Sequence, residues 1–159
     1  MISLLPFFEW CEATSIGTGI RESTWLFAGI EAVHLLALAA IGGAVLLVDL
    51  RALGLALRDQ PLRAIAKDAY PWLIGSLVVM LATGIALFLS ESVKCYYSPP
   101  FWVKMFSLLL AMIFTFTIRR RVTTAPDGRV PTIWLRVVAL VSLTLWFGVG
   151  AGGRGIGFY

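Results

Sequence analysis

The apolar run from Trp25 to Leu50 constrains this chain most, because it is long enough to cross a bilayer yet carries ionisable groups. About 20 residues at 1.5 Å each span the hydrocarbon core, so the run predicts a transmembrane helix. Glu31 and His34, the only histidine, lie inside it, with Asp49 near its end. An ionisable side chain at such depth costs roughly a few kcal/mol and therefore needs a partner or a task. At 100° per residue, Glu31, His34, Leu38, Gly42, Val45 and Asp49 fall within one sector of about 80°. That sector reads as the bundle-facing side, with Gly42 permitting close helix approach. Arg51 and Arg58 are the expected partners of Asp49.

Three further apolar runs follow, at about 71–90, 102–118 and 133–150, and only 14% of the residues are charged against 59% hydrophobic. A soluble domain carries about 25% charged residues, so water is the wrong solvent for this chain. The expected fold is all-α: a four-helix transmembrane bundle forming one integral-membrane domain over residues 1–159. Residues 2–13 are too short to span, but Phe7, Phe8 and Trp10 beside Glu9 and Glu12 suit a short N-terminal interfacial helix. The connection 51–70, interrupted by Pro61, predicts a small amphipathic helix, and Pro71 suits the first turn of the second span. The glycine-rich tail from Gly148 onward predicts irregular chain outside the membrane. No basic stretch opens the sequence, and Glu9 and Glu12 interrupt it before any small-residue cleavage site, so the first span is the expected insertion signal.

Charge placement sets the expected orientation. Nine basic residues, including Arg51, Arg58, Arg63, Lys67, Arg119, Arg120 and Arg121, lie in or beside the first and third connections, against four elsewhere. The positive-inside rule then puts those connections in the cytoplasm of a bacterium, with both termini and the 91–101 loop on the periplasmic side of the inner membrane. Arginines placed by topology argue against a nucleic-acid partner. The lipid bilayer is the expected partner, with a homo-oligomer or other membrane redox subunits as further candidates. Cys11 and Cys95 both fall on the outer side, where a disulfide and two unpaired thiols are both open.

The candidate site joins Glu31 and His34 to Lys104, which opens the third span and can reach inward or snorkel outward. Three readings are open. In the first, neutral His34 is an axial ligand of haem b, with Met80, Met105, Lys104, water or a second protomer's histidine as the other ligand. Gly42, Gly43, Ser76, Thr83, Gly84, Ser107 and Ala111 would leave room for a flat ring. In the second, Glu31 and His34 form a proton relay or hold a quinone head group. In the third, the two side chains satisfy one another and fix helix register within a packing subunit. A di-iron site needs a second Glu-x-x-His pair and further carboxylates. No nucleophile elbow, phosphate loop or dinucleotide fingerprint is present.

The combination of Arg21-Glu22-Ser23, Glu31-x-x-His34, Gly42-Gly43, Asp49-Leu50-Arg51, Thr83-Gly84 and Phe101-x-x-Lys104 resembles a family of small, uncharacterised bacterial four-span membrane proteins. More distantly, His34, Gly43 and Arg51 in one span, followed by an aromatic-x-x-Lys at Phe101 to Lys104, are similar to membrane-type protoporphyrinogen oxidase and, more loosely, to copper-resistance D membrane proteins. The oxidase likeness implies a b-type haem on His34 with Lys104 beside it. The further histidines of that family, near the end of the first span and in the third, are absent here. The likeness therefore extends to haem binding more than to substrate oxidation.

Overall fold

The computed structural model describes residues 4–126 and 128–158, all of whose regular structure is helical. Four helices are long and apolar enough to cross a membrane: α3 (Thr24–Leu53), α4 (Leu62–Ser90), α6 (Pro99–Thr123) and α7 (Thr132–Ile156). Short helices α1 (Leu5–Glu12) and α2 (Ser15–Glu22) precede them, and α5 (Ser92–Tyr97) joins α4 to α6. Helix α3 packs against α4 and α7, and α6 packs against α7. The predicted interfacial helix corresponds to α1; residues 2 and 3 of that expectation lie outside the described residues.

Local chemistry fixes the ends of α3. Ser23 Oγ accepts from the amide of Leu26, and Gly54 closes the helix at φ +76°. Only a residue without Cβ takes that left-handed cap at little cost. The second span starts earlier than the sequence suggests. No separate helix occupies 51–70; Pro61 caps α4, which runs on through Pro71 without interruption. A proline at the cap loses no helical hydrogen bond, whereas Pro71 removes one that would reach the carbonyl of Lys67.

The larger correction concerns the tail. Residues 148–156 are helical, continuing α7. The glycines there are spaced to face α6: a Cβ at Gly148 would stand 2.9 Å from Ser107 Oγ, one at Gly152 3.0 Å from the Lys104 backbone nitrogen, and one at Gly155 2.9 Å from Pro100. Close backbone approach outweighs the weak helical propensity of glycine. The exposed face of α3 reverses the expectation in the other direction. Gly42 and Gly43 face outward, and nothing lies within 4 Å of a Cβ built on either. The buried stripe runs instead through His34, Ala37, Ile41, Ala44, Val45, Val48, Asp49 and Ala52. Its centre is rotated by roughly 60° from the sector drawn on the sequence.

Ile41, Val45, Leu77, Met80, Ala111, Trp146 and Val149 form the centre of the bundle. One end of it gathers α1, α2, α5 and the end of α7. There Glu12 accepts from the Val93 amide at 2.7 Å and pairs with Arg21 at 3.1 Å, while Arg21 also donates to the Ser90 carbonyl. Phe8 inserts between Phe88, Tyr96 and Phe101 to seal the same end. The connections rich in arginine lie at the other end.

Candidate functional site

Two cavities matter, one at each end of the bundle. The cleft at the terminal end has a volume of about 400 Å³ and is lined by Glu31, His34 and Lys104 together with Gly84, Glu91, Lys94, Gly153 and Arg154. The three ionisable residues singled out from sequence therefore share one cleft. Helix α3 supplies Glu31 and His34 one turn apart, α6 supplies Lys104, and α7 supplies the floor beneath it.

His34 is held from one side. Its Nδ1 lies 2.9 Å from Thr83 Oγ1, whose hydroxyl has the Val79 carbonyl within 2.7 Å. A hydroxyl that donates its proton to the helix carbonyl accepts from the imidazole, which assigns the proton of neutral His34 to Nδ1. Nε2 then carries the lone pair. It makes no hydrogen bond among the described residues, and His34 is part of the cleft wall. Gly84 makes the pose possible: a Cβ there would come within 3.2 Å of His34 Cε1.

Lys104 is shaped by α7. Its backbone abuts Gly152, and its outer methylenes and ammonium pass over Gly153, where a Cβ would stand 3.6 Å from Nζ. The ammonium lies within electrostatic range of His34. It forms no ion pair with Glu31, since the ion pairs among the described residues are Arg21–Glu12 and Arg119–Asp49. The cleft thus gathers three basic residues, Lys94, Lys104 and Arg154, and two acidic ones, Glu31 and Glu91, along with the His34 imidazole. An amphipathic ligand carrying acidic groups matches that arrangement.

The methionines stand apart from it. Met80 is a buried core residue, and Met105 points away from the bundle, 44% exposed. Neither thioether lines the cleft. Cys11 and Cys95 are both buried, free thiols. Burial pushes the Cys95 thiol up to about 11, with Glu91 adding to the effect. Among the described residues no group of three or more His, Cys, Asp or Glu side chains is placed to hold a metal ion. A site built on one imidazole is of a different kind.

Asp49 meets a partner that sequence reasoning did not propose. Its Oδ1 accepts from Nε of Arg119 at 3.0 Å, and Arg119 also donates to the Val45 carbonyl. Arg51 and Arg58 bond instead to the carbonyls of Gln60 and Gly54. The reason lies in α6, which contains a π-helical turn over Thr115–Arg119. The buried positions Ala111, Thr115, Arg119 and Thr123 repeat every four residues, and a wider turn keeps such a series facing one way. The four-residue spacing that brings Arg119 inward depends on this π-helical turn, which the sequence does not announce. Thr83 is the other omission: among the small residues it reads as space for a ring, whereas it anchors His34.

A family model described as "Family of unknown function (DUF6644)" matches residues 7–159. No curated protein and no solved structure matches the chain. The distant likeness to protoporphyrinogen oxidase and to copper-resistance D proteins therefore rests on the residues quoted for it alone.

Proposed function

The chain belongs to this family of unknown function, and we propose that it is a bacterial inner-membrane protein that binds haem b at His34 and serves electron transfer, alone or as the membrane subunit of a redox assembly. One observation carries the reading: Thr83 holds Nδ1 of His34, which leaves Nε2 without a partner among the described residues in a side chain that lines a cleft shared with three basic residues. A histidine whose second nitrogen is fixed in this way is oriented and tuned as a ligand. Lys94, Lys104 and Arg154 are the groups for two propionates, and Leu35, Leu38, Leu87 and Phe101 offer apolar contact to a ring. Bound haem would supply one-electron chemistry. The chain's own residues orient the imidazole, neutralise the acidic groups, and exclude bulk water from the apolar side. The methionines drop out as second ligands, which leaves Lys104, water or a second protomer. In this reading the arginine-rich connections face the cytoplasm and the cleft opens near the periplasmic surface.

A second reading is favoured by Glu31 standing in the same cleft one turn from His34: the pair handles a proton at a quinone head group. A haem titration of the purified protein, followed optically, separates the two. A Soret band that grows to one equivalent per chain supports haem binding. Quinol oxidation that depends on Glu31 and His34 in a colourless protein supports the quinone site.

A further inference from the structure

The second cavity, about 260 Å³, lies at the other end of the bundle between α3, α4 and α6. Ala44, Val48, Ala69 and Leu73 line its apolar part, while Arg63, Lys67, Arg120 and Tyr70 supply donors. The exposure of these residues gives the cavity a direction. Ala44, Val48 and Leu73 are buried, whereas Arg63, Lys67 and Arg120 are exposed, so an apolar interior opens through a basic mouth. The Arg120 guanidinium is positioned over the Tyr70 ring at 4.9 Å. Arg119 reaches the wall already committed to Asp49, but Arg63, Lys67 and Arg120 have no carboxylate partner among the described residues. Topology alone accounts for basic residues at this end. It does not account for three uncompensated cations converging from two helices on one hollow.

We propose that this cavity binds the headgroup of an anionic phospholipid, with the phosphate at Arg63, Lys67 and Arg120 and the glycerol and first acyl carbons against Ala44, Val48, Ala69 and Leu73. The shared recognition chemistry, a phosphate oxyanion met by guanidinium and ammonium donors, also suits free phosphate. The apolar interior decides between them, because it offers nothing to a free anion and takes up the carbons attached to a lipid phosphate. The site lies at the ends of membrane-crossing helices, where such headgroups are concentrated. It stands independently of the haem reading.

The test uses the full chain in nanodiscs of phosphatidylcholine with and without phosphatidylglycerol, read by native mass spectrometry and thermal unfolding. Expected is one retained phosphatidylglycerol per chain and a higher unfolding temperature in its presence. In R63Q/K67Q/R120Q, retention falls on the order of a hundredfold and the thermal increment is lost. K67Q alone shows a partial loss, which keeps the test usable should the triple variant unfold. R121Q/R129Q, lacking exposed arginines of the same end outside the cavity, behaves as the native chain. The proposal is overturned if the increment survives in the triple variant, if R121Q/R129Q loses as much, or if inorganic phosphate in phosphatidylcholine nanodiscs gives the same shift.

Discussion

Asp49 and Arg119, seventy positions apart in sequence, form an ion pair at 3.0 Å in the interior, with side chains 1% and 7% exposed. The pair ties α3 to α6 across the bundle. Its second carboxylate oxygen, Oδ2, has no hydrogen-bond partner, and the buried Ser142 hydroxyl of α7 is its other polar neighbour. Breaking a buried pair is costly because the survivor keeps its charge without compensation.

Arg119→Ala is accordingly expected to destabilise the protein by about 3–5 kcal/mol. The apolar double variant D49L/R119M is expected to recover most of that loss, since neither charge remains. Thermal or denaturant unfolding in detergent checks both; equal losses in the single and double variants would show that the pair's geometry, rather than the stranded charge, matters.

The α6–α7 seam gives a contrast between glycines. Gly152→Leu sets a side chain against the Lys104 backbone and is expected to cost roughly 1–3 kcal/mol through overpacking. Gly42→Ala meets nothing within 4 Å and is expected to leave stability unchanged or raise it by up to about 1 kcal/mol through helix propensity. Unfolding measurements on the two variants side by side provide the check.

Cys95 carries the pH dependence. Its thiol is raised from 9.0 to about 11, so it is protonated at neutral pH and reacts slowly as a nucleophile. Alkylation of Cys95 in the folded protein is expected to keep accelerating between pH 9 and 11, where an ordinary thiol has levelled off. The linkage has a definite sign. With the folded value above the unfolded one, the contribution to stability is complete below pH 9 and is lost as pH rises to about 11. Unfolding temperatures of C95S and the native chain across that window measure it.

Orientation is separately testable. Gln60→Cys and Arg129→Cys place thiols on the two connections at the arginine-rich end, both at exposed positions. With Cys11 and Cys95 buried, background labelling is low. In intact cells or spheroplasts the introduced thiols are expected to resist an impermeant maleimide and to react after permeabilisation. Reaction before permeabilisation would invert the topology.

The four spans were legible because length and hydropathy alone define them. What the sequence obscured has common physical causes. Pro71 reads as a start signal, yet the run from Leu62 to Tyr70 packs Leu62, Ile65 and Ala66 onto α3 and carries the helix through it. The tail glycines read as breakers until a partner helix is present to receive them. The Glu31–His34–Lys104 grouping was legible because costly polar groups in apolar helices have few places to go. Asp49–Arg119 was not, since it depends on a π-helical turn and on which helix faces which. Gly42 and Gly43 misled for the mirror reason, as a small residue marks close packing only when a neighbour is there.

The most direct test of the central claim is haem affinity measured by optical titration of the native chain, His34→Ala, Thr83→Val and Met105→Leu. The account predicts a saturable Soret band in the native chain, its loss in His34→Ala, and affinity weakened by about 10–100-fold in Thr83→Val, where the orienting hydroxyl is removed. Met105→Leu, facing away from the cleft, is predicted to bind as the native chain does. Absence of a Soret band in the native protein, or an undiminished one in His34→Ala, would contradict it.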